Sequence, residues 1–203
     1  MRKSIKRVSI CFLLACFFWA GMLIADRRRL HEELIRLHIV ANSDSVADQT
    51  IKMQVKDAVA DSLRDALKDV SDVEEAKRWI ADNLSFIQDI ANETLALAGS
   101  NDNALVSLCE EAFDTRFYET FSLPAGTYNA LKITIGDGEG KNWWCVAFPA
   151  LCIPVTAEDF EAAAAGAGFP ESLSNTLIQK QGYQTRFLLL DMIGRLESIF
   201  FAE

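Results

Sequence analysis

Only two of the 203 residues are histidine, and five are cysteine. That is too little material for a zinc cluster of mixed ligands. Basic residues are also scarce in most of the chain. Residues 1–7 carry four basic groups (Arg2, Lys3, Lys6, Arg7) and residues 8–25 carry no charge, so from Asp26 onward 16 basic residues face 29 acidic ones, a net of −13. Tracking nucleic acid requires a Lys/Arg surplus, and an acidic body of this kind lacks it. The same deficit argues against the body itself docking on an anionic membrane surface. Sequence motifs of catalysis are missing too. His31-Glu32-Glu33-Leu34-Ile35 has Ile35 where a zincin helix needs its second histidine. Gly136 to Asn142 is glycine-rich, but Asn142 follows Lys141 where a phosphate loop needs Ser or Thr, and a strand follows it rather than a helix. No G-x-S-x-G nucleophile elbow occurs. Half of the residues are hydrophobic, which disfavours disorder.

What is present begins with the run Val8–Ala25. As a helix its 18 residues would measure roughly 27 Å, just short of the hydrocarbon core. Three readings compete. A cleaved signal peptide needs small residues at −3 and −1, and Leu23-Ile24-Ala25 fits poorly. A lipoprotein cut before Cys16 leaves too short an apolar run ahead of it. The length favours an uncleaved signal anchor, with the basic front inside and the body outside despite Arg27, Arg28 and Arg29. Residues 1–25 are thus expected to be a signal peptide or anchor. Residues 26–203 are then one extracytoplasmic α+β domain, of which 156–203 can be peripheral.

Within the body, Leu34–Val40 reads as a strand. Ala41-Asn42-Ser43-Asp44-Ser45 supplies turn and cap residues. Apolar residues from Ile51 to Val70 at steps of three and four predict a helix over about Ser45–Lys68. Ser71-Asp72-Val73-Glu74 has capping-box spacing and opens a second helix that Gly99 ends. The two helices are expected to pair antiparallel across a short loop. Asn103–Phe113 reads as a strand, Ser122–Gly126 as a turn, and Leu131, Ile133 and Ile135 alternate with polar residues as a half-buried strand. Trp143–Phe148 is a continuous apolar strand, expected to form a hairpin with the strand before it. Thr156–Ala165 and Asp191–Phe200 read as helices. The order of elements predicts α+β: an N-terminal export helix, then a helical hairpin packed on a small, mostly antiparallel sheet, with terminal helices.

Cys145 and Cys152 bracket a segment that Pro149 can turn, so a disulfide between them is expected; closing so short a loop contributes about 2–3 kcal/mol in the chain-entropy model. Cys109 is then left over. A rival reading makes Cys145 a nucleophile served by His38 or His31. His38 shares a strand face with Arg36 and Val40, opposite Leu37 and Ile39. An exposed Arg36/His38 pair would suit a partner, and a satisfied, partly buried histidine is the alternative.

Two stretches go beyond generic α+β. One is Leu34-Ile35-Arg36-Leu37-His38-Ile39-Val40-Ala41-Asn42-Ser43-Asp44-Ser45, continued by Asp48, Gln49 and Lys52. The other is Gly140-Lys141-Asn142-Trp143-Trp144-Cys145-Val146-Ala147-Phe148-Pro149-Ala150-Leu151-Cys152. With the apolar N-terminal run, the chain resembles the stage II sporulation protein R family from that run to about Cys152. Ala150 stands where a second proline is expected. The resemblance implies a signal and not an enzyme. Members of the family are made in the forespore and exported toward the space between forespore and mother cell. There they trigger a membrane-embedded aspartic protease of the mother cell, which removes the pro-sequence of sigma-E. No catalytic, cofactor-binding or metal residues follow from it. Contact with that protease is expected on two surfaces. One comprises Arg36, His38, Asn42, Asp44, Asp48 and Gln49, with helix capping as the alternative for Asn42 and Asp44. The other is the rim of Asn142, Trp143, Trp144 and Phe148, with core packing as the alternative for the tryptophans. A basic loop of the protease would suit the acidic body. A wall-binding module is a third possibility.

Overall fold

The strand nearest the start of the body, β1 (Ile35–Val40), is buried along all six of its residues. A strand covered on both faces belongs at the centre of a sheet, and β1 lies there. The structure is a computed structural model that describes residues 31–118 and 121–149, with positions 10, 14, 18 and 21. The apolar run as a whole, Cys152 and the helices expected within 156–203 lie outside the described residues. After β1 come α1 (Val46–Ala66), α2 (Val73–Asp82), α3 (Leu84–Leu97), β2 (Ala104–Phe113), β3 (Arg116–Phe117), β4 (Ser122–Leu123), β5 (Gly126–Ile135) and β6 (Asn142–Phe148). Three helices packed on a mixed sheet make this an α+β body.

The four-stranded sheet has the order β2-β5-β1-β6. β2 and β5 pair antiparallel, β1 and β5 parallel, and β1 and β6 antiparallel. This corrects the expected hairpin of the last two strands. The connection after β5 passes across the end of β1, and β6 returns on the far side. A glycine-rich connection is locally as compatible with this bridge as with a hairpin; β1, whose residues pair with β5 partners 94 positions later in the sequence, decides between them. Ser122–Leu123, expected as part of a turn, pairs with Arg116–Phe117 in a second, two-stranded sheet.

Helix α1 follows the predicted span closely. Its N-cap Ser45 accepts a hydrogen bond from the Asp48 N–H at 3.0 Å. The expected second helix is instead two. At Asn83 the backbone leaves helical geometry (φ −116°, ψ 20°), and the side-chain Nδ2 donates to the Trp79 carbonyl at 2.7 Å. Asparagine competes for backbone groups in this way and so interrupts helices. Asp72 caps α2 by accepting from the Glu74 N–H. Gly99, at φ +77°, ends α3 with Gly99 N–H on the Ala96 carbonyl and Ser100 N–H on the Leu95 carbonyl, both 3.0 Å.

One sheet face meets the helices. Leu37, Ile39, Leu131, Ile133, Val106, Cys145 and Ala147 pack there against Val55, Val59, Leu63, Ile80, Ile87 and Leu95. The other face is partly covered by the excursion between β2 and β5, where Phe121 and Leu123 are buried. Among the described residues no helix is long and apolar enough to cross a membrane.

Candidate functional site

The two stretches singled out in the sequence are neighbours in space, because β1 pairs with β6 in the register Leu37↔Cys145, His38↔Trp144 and Ile39↔Trp143. At the end of β1 they lock together. The Ala41 carbonyl accepts from Gly140 N–H at 2.9 Å and the Asn42 carbonyl from Glu139 N–H at 3.1 Å. Asn42 Oδ1 accepts from Asp137 N–H (3.0 Å), and Asp44 Oδ1 accepts from Lys141 N–H (2.7 Å). Ser43 donates its hydroxyl to Asp48, which also receives Asn42 Nδ2 at 3.3 Å. The Ser43 hydroxyl beside it is the main reason the Asp48 carboxyl lies below the usual aspartate pKa. Gln49 Nε2 donates to the Ser43 carbonyl. Lys52, buried, donates from Nζ to Gln49 Oε1 (2.7 Å) and to the Lys141 carbonyl (2.9 Å). Desolvation pulls the Lys52 ammonium pKa down. Asn42, Asp44, Asp48, Gln49 and Lys52 thus form a latch between the start of α1 and the 136–141 connection, a wider task than helix capping. Asp44 keeps an exposed flank.

Arg36 and His38 lie on the sheet face away from the helices, as their alternation predicts, but neither is exposed. Arg36 is 0% exposed. Its Nε donates to the Cys145 carbonyl at 3.2 Å and one amino group to Tyr118 Oη at 2.9 Å. Its guanidinium stacks 4.3 Å from the Phe113 centroid and 5.2 Å from that of Tyr128. Burial pushes the Tyr118 phenol above its ordinary pKa, which keeps it a neutral partner. His38 is 6% exposed. Its Nδ1–H donates to Glu111 Oε2 at 2.7 Å, and Nε2 meets Asn142 Oδ1 at 2.8 Å. Trp144 stacks on His38 (5.5 Å, 18°), and the Arg116 guanidinium lies 3.7 Å from the Trp144 ring. Lys132 Nζ donates to the other Glu111 oxygen at 2.9 Å. Burial acts against the Glu111 carboxylate, but the bonds from Lys132 and His38 prevail and its pKa falls below the usual glutamate value.

The second expected rim divides. Asn142 and Trp144 belong to this polar face. Trp143 points to the helices, where Lys56 Nζ sits 5.5 Å from its ring, and Phe148 is core. Sequence reasoning missed Glu111, Lys132, Arg116 and Tyr118. Glu111 and Lys132 fell in strands read from the sequence, but the strands they face were not legible, and Arg116 and Tyr118 lay in no expected element.

The cysteine–histidine reading loses its geometry. Cys145 packs on the helix side of the sheet and His38 projects from the other side. Cys152 is outside the described residues, so its pairing with Cys145 stays a proposal. His31 stacks on Tyr128 at 4.4 Å. Cys109 is a free thiol, its pKa raised by burial first and by Glu111 second. Among the described residues no group of three or more His, Cys, Asp or Glu could hold a metal ion.

Residues 31–158 match the family model described as stage II sporulation protein R. The chain belongs to that family. It is 44% identical over 121 residues to the stage II sporulation protein R of Bacillus subtilis (strain 168). That match covers 60% of this chain and 54% of the relative, so the chain spans about half the length of the curated relative it matches. No solved structure matches. Nearly all of the described body, latch and polar face included, falls inside the family match.

Proposed function

We propose that this chain is an exported intercellular signal of sporulation. In this reading it activates a membrane-embedded aspartic protease of the mother cell and so triggers processing of the sigma-E precursor. Membership of the stage II sporulation protein R family over residues 31–158 carries the reading. The basic front and uncharged run of residues 1–25 support delivery across the forespore membrane into the intermembrane space, with residues 8–25 retained in that membrane or removed. The protein works by contact and not by catalysis, without a cofactor. An exported compartment lets disulfides persist, and the Cys145–Cys152 bond belongs to this proposal.

The test is co-expression of the full chain with the protease and its pro-sigma substrate in a non-sporulating host. Cleavage that depends on this chain is the expected result. Absence of cleavage with all three proteins present and the chain exported would refute the reading, as would conversion of a small molecule by the purified chain alone. Non-reducing mass analysis of the exported body decides the disulfide.

A further inference from the structure

Strand β2 lies at one edge of the four-stranded sheet. Its odd-numbered residues turn their backbone groups toward β5, as the Gly136 N–H bond to the Asn103 carbonyl illustrates at the strand's start. Even-numbered residues turn theirs outward. At the beginning of the strand this outward row is occupied. Asn92 Oδ1 accepts from Ala104 N–H at 2.8 Å, and Gln88 Oε1 accepts from Val106 N–H at 3.2 Å. Two side chains of α3 therefore block the edge against further pairing there, one of the ways a sheet protects an exposed edge. The protection stops at Val106. The outward amides of Leu108, Glu110 and Ala112 meet no partner among the described residues, while Glu110 and Ala112 are exposed.

Charge narrows what can pair with this open half. β2 carries Glu110 and Glu111 and no basic residue, with exposed Asp114 just beyond its end. A second copy of the chain pairing antiparallel about this segment would set these carboxylates against their own copies, which is unfavourable for directly opposed like charges. An extended segment with lysine or arginine on alternate residues meets exposed Glu110 on one face of the sheet instead, Glu111 being engaged by Lys132 and His38 on the other, and its backbone fills the three open amides.

We propose that the open half of β2, Leu108–Ala112, receives an extended basic segment of a partner protein as an added strand. Main-chain hydrogen bonds supply the affinity and Glu110 the selectivity, the general pattern of strand addition. The inference deepens the signalling reading by naming the chemistry of the contacting segment, and a peptide assay tests it independently of precursor cleavage.

The probe is a labelled ten-residue peptide of alternating valine and lysine, with a valine–glutamate counterpart and N-methylated versions of the lysine peptide. Binding to the full chain in detergent is read by fluorescence anisotropy and by hydrogen–deuterium exchange. The lysine peptide is expected to bind at least tenfold more tightly than its glutamate counterpart and to slow exchange at residues 108–112. Glu110→Lys should abolish that preference. Ala112→Pro removes one outward donor without touching the β5 ladder and should weaken binding at least tenfold. Should that variant fail to fold, the N-methylated peptides make the same test from the other strand: methylation on the side facing β2 must abolish binding. Equal binding of both charge types, protection confined to β6, insensitivity to N-methylation, no binding at millimolar peptide, or protection of 108–112 through dimerisation would each overturn the proposal.

Discussion

Replacing Gly140 by alanine isolates the latch from every other part of the fold. A Cβ at this position would lie 2.3 Å from the Ser43 carbonyl oxygen, 2.6 Å from its carbon and 2.9 Å from the Ala41 Cβ. Two of these neighbours are backbone, so no side chain can swing aside. Relief requires the 136–141 connection to move away from residues 41–44, across which Gly140 N–H, Glu139 N–H and Lys141 N–H are bonded. Losing one or two such bonds costs about 1 kcal/mol each, and residual overpacking adds about 1–3 kcal/mol. The expected loss is about 2–5 kcal/mol, a large part of the roughly 5–15 kcal/mol that holds a domain folded. Gly99 supplies the comparison. Nothing lies within 4 Å of its added Cβ, but its φ is +77°, so Gly99→Ala meets only the left-handed penalty of about 1–2 kcal/mol. Urea unfolding of the full chain followed by far-ultraviolet circular dichroism measures both, as a shift in midpoint at constant slope. A Gly140→Ala protein within about 0.5 kcal/mol of wild type, the ordinary scatter of surface substitutions, or one more stable than Gly99→Ala, would refute the latch.

Glu111→Gln tests the polar face through pH. The folded-state pKa of Glu111 is depressed, so its stabilisation is full above the unfolded glutamate value of about 4.3 and disappears as pH falls through the folded value. The gap in urea midpoint between wild type and variant should therefore be constant near neutrality and close on acidification; a gap independent of pH contradicts the assignment. His38→Ala removes a buried ring held by Glu111 and Asn142 and should cost about 2–3 kcal/mol in the same assay, with a changed near-ultraviolet spectrum from Trp144; an unaltered spectrum and midpoint would show that the ring does not pack there. Lys52→Met keeps the aliphatic stem and leaves the Lys141 carbonyl without its Nζ donor. The expected loss is about 1–2 kcal/mol, and a neutral result would make that contact dispensable.

What could be read from the sequence is what depends on near neighbours. The three-and-four spacing located α1, period two located the second half of β5, and Gly99 marked the end of α3. The reading failed where a distant strand decides. The Gly136–Gly140 connection looked like a hairpin because the demand of β1 for a neighbour on each side leaves no local trace. Asn83 could have been flagged as a helix break, since its competition for backbone groups is a property of the residue type. Arg36 and His38 were assigned the correct sheet face, but their burial depends on Phe113, Tyr118 and Tyr128, which a single sequence does not place beside them. Glu111 escaped notice for the same reason: its chemistry comes from the β2–β5–β1 register, which brings Lys132 beside His38.

The latch also changes how loss-of-function variants in the two shared stretches must be interpreted. Asn42, Asp48 and Gln49 are engaged in bonds inside the molecule, and Arg36 is enclosed. Substituting any of them disturbs folding first, so lost signalling alone would say nothing about contact. Asp44 differs, because its side chain bonds a backbone amide with one oxygen and leaves a flank 57% exposed toward Lys141. Asp44→Asn keeps an acceptor for the Lys141 amide and removes only the charge. If this surface meets a basic partner, Asp44→Asn should lower precursor cleavage while the urea midpoint stays within about 0.5 kcal/mol of wild type, the range of ordinary surface substitutions. If cleavage is unchanged, the carboxylate serves the latch alone, and the acidic edge of β2 becomes the contact to pursue.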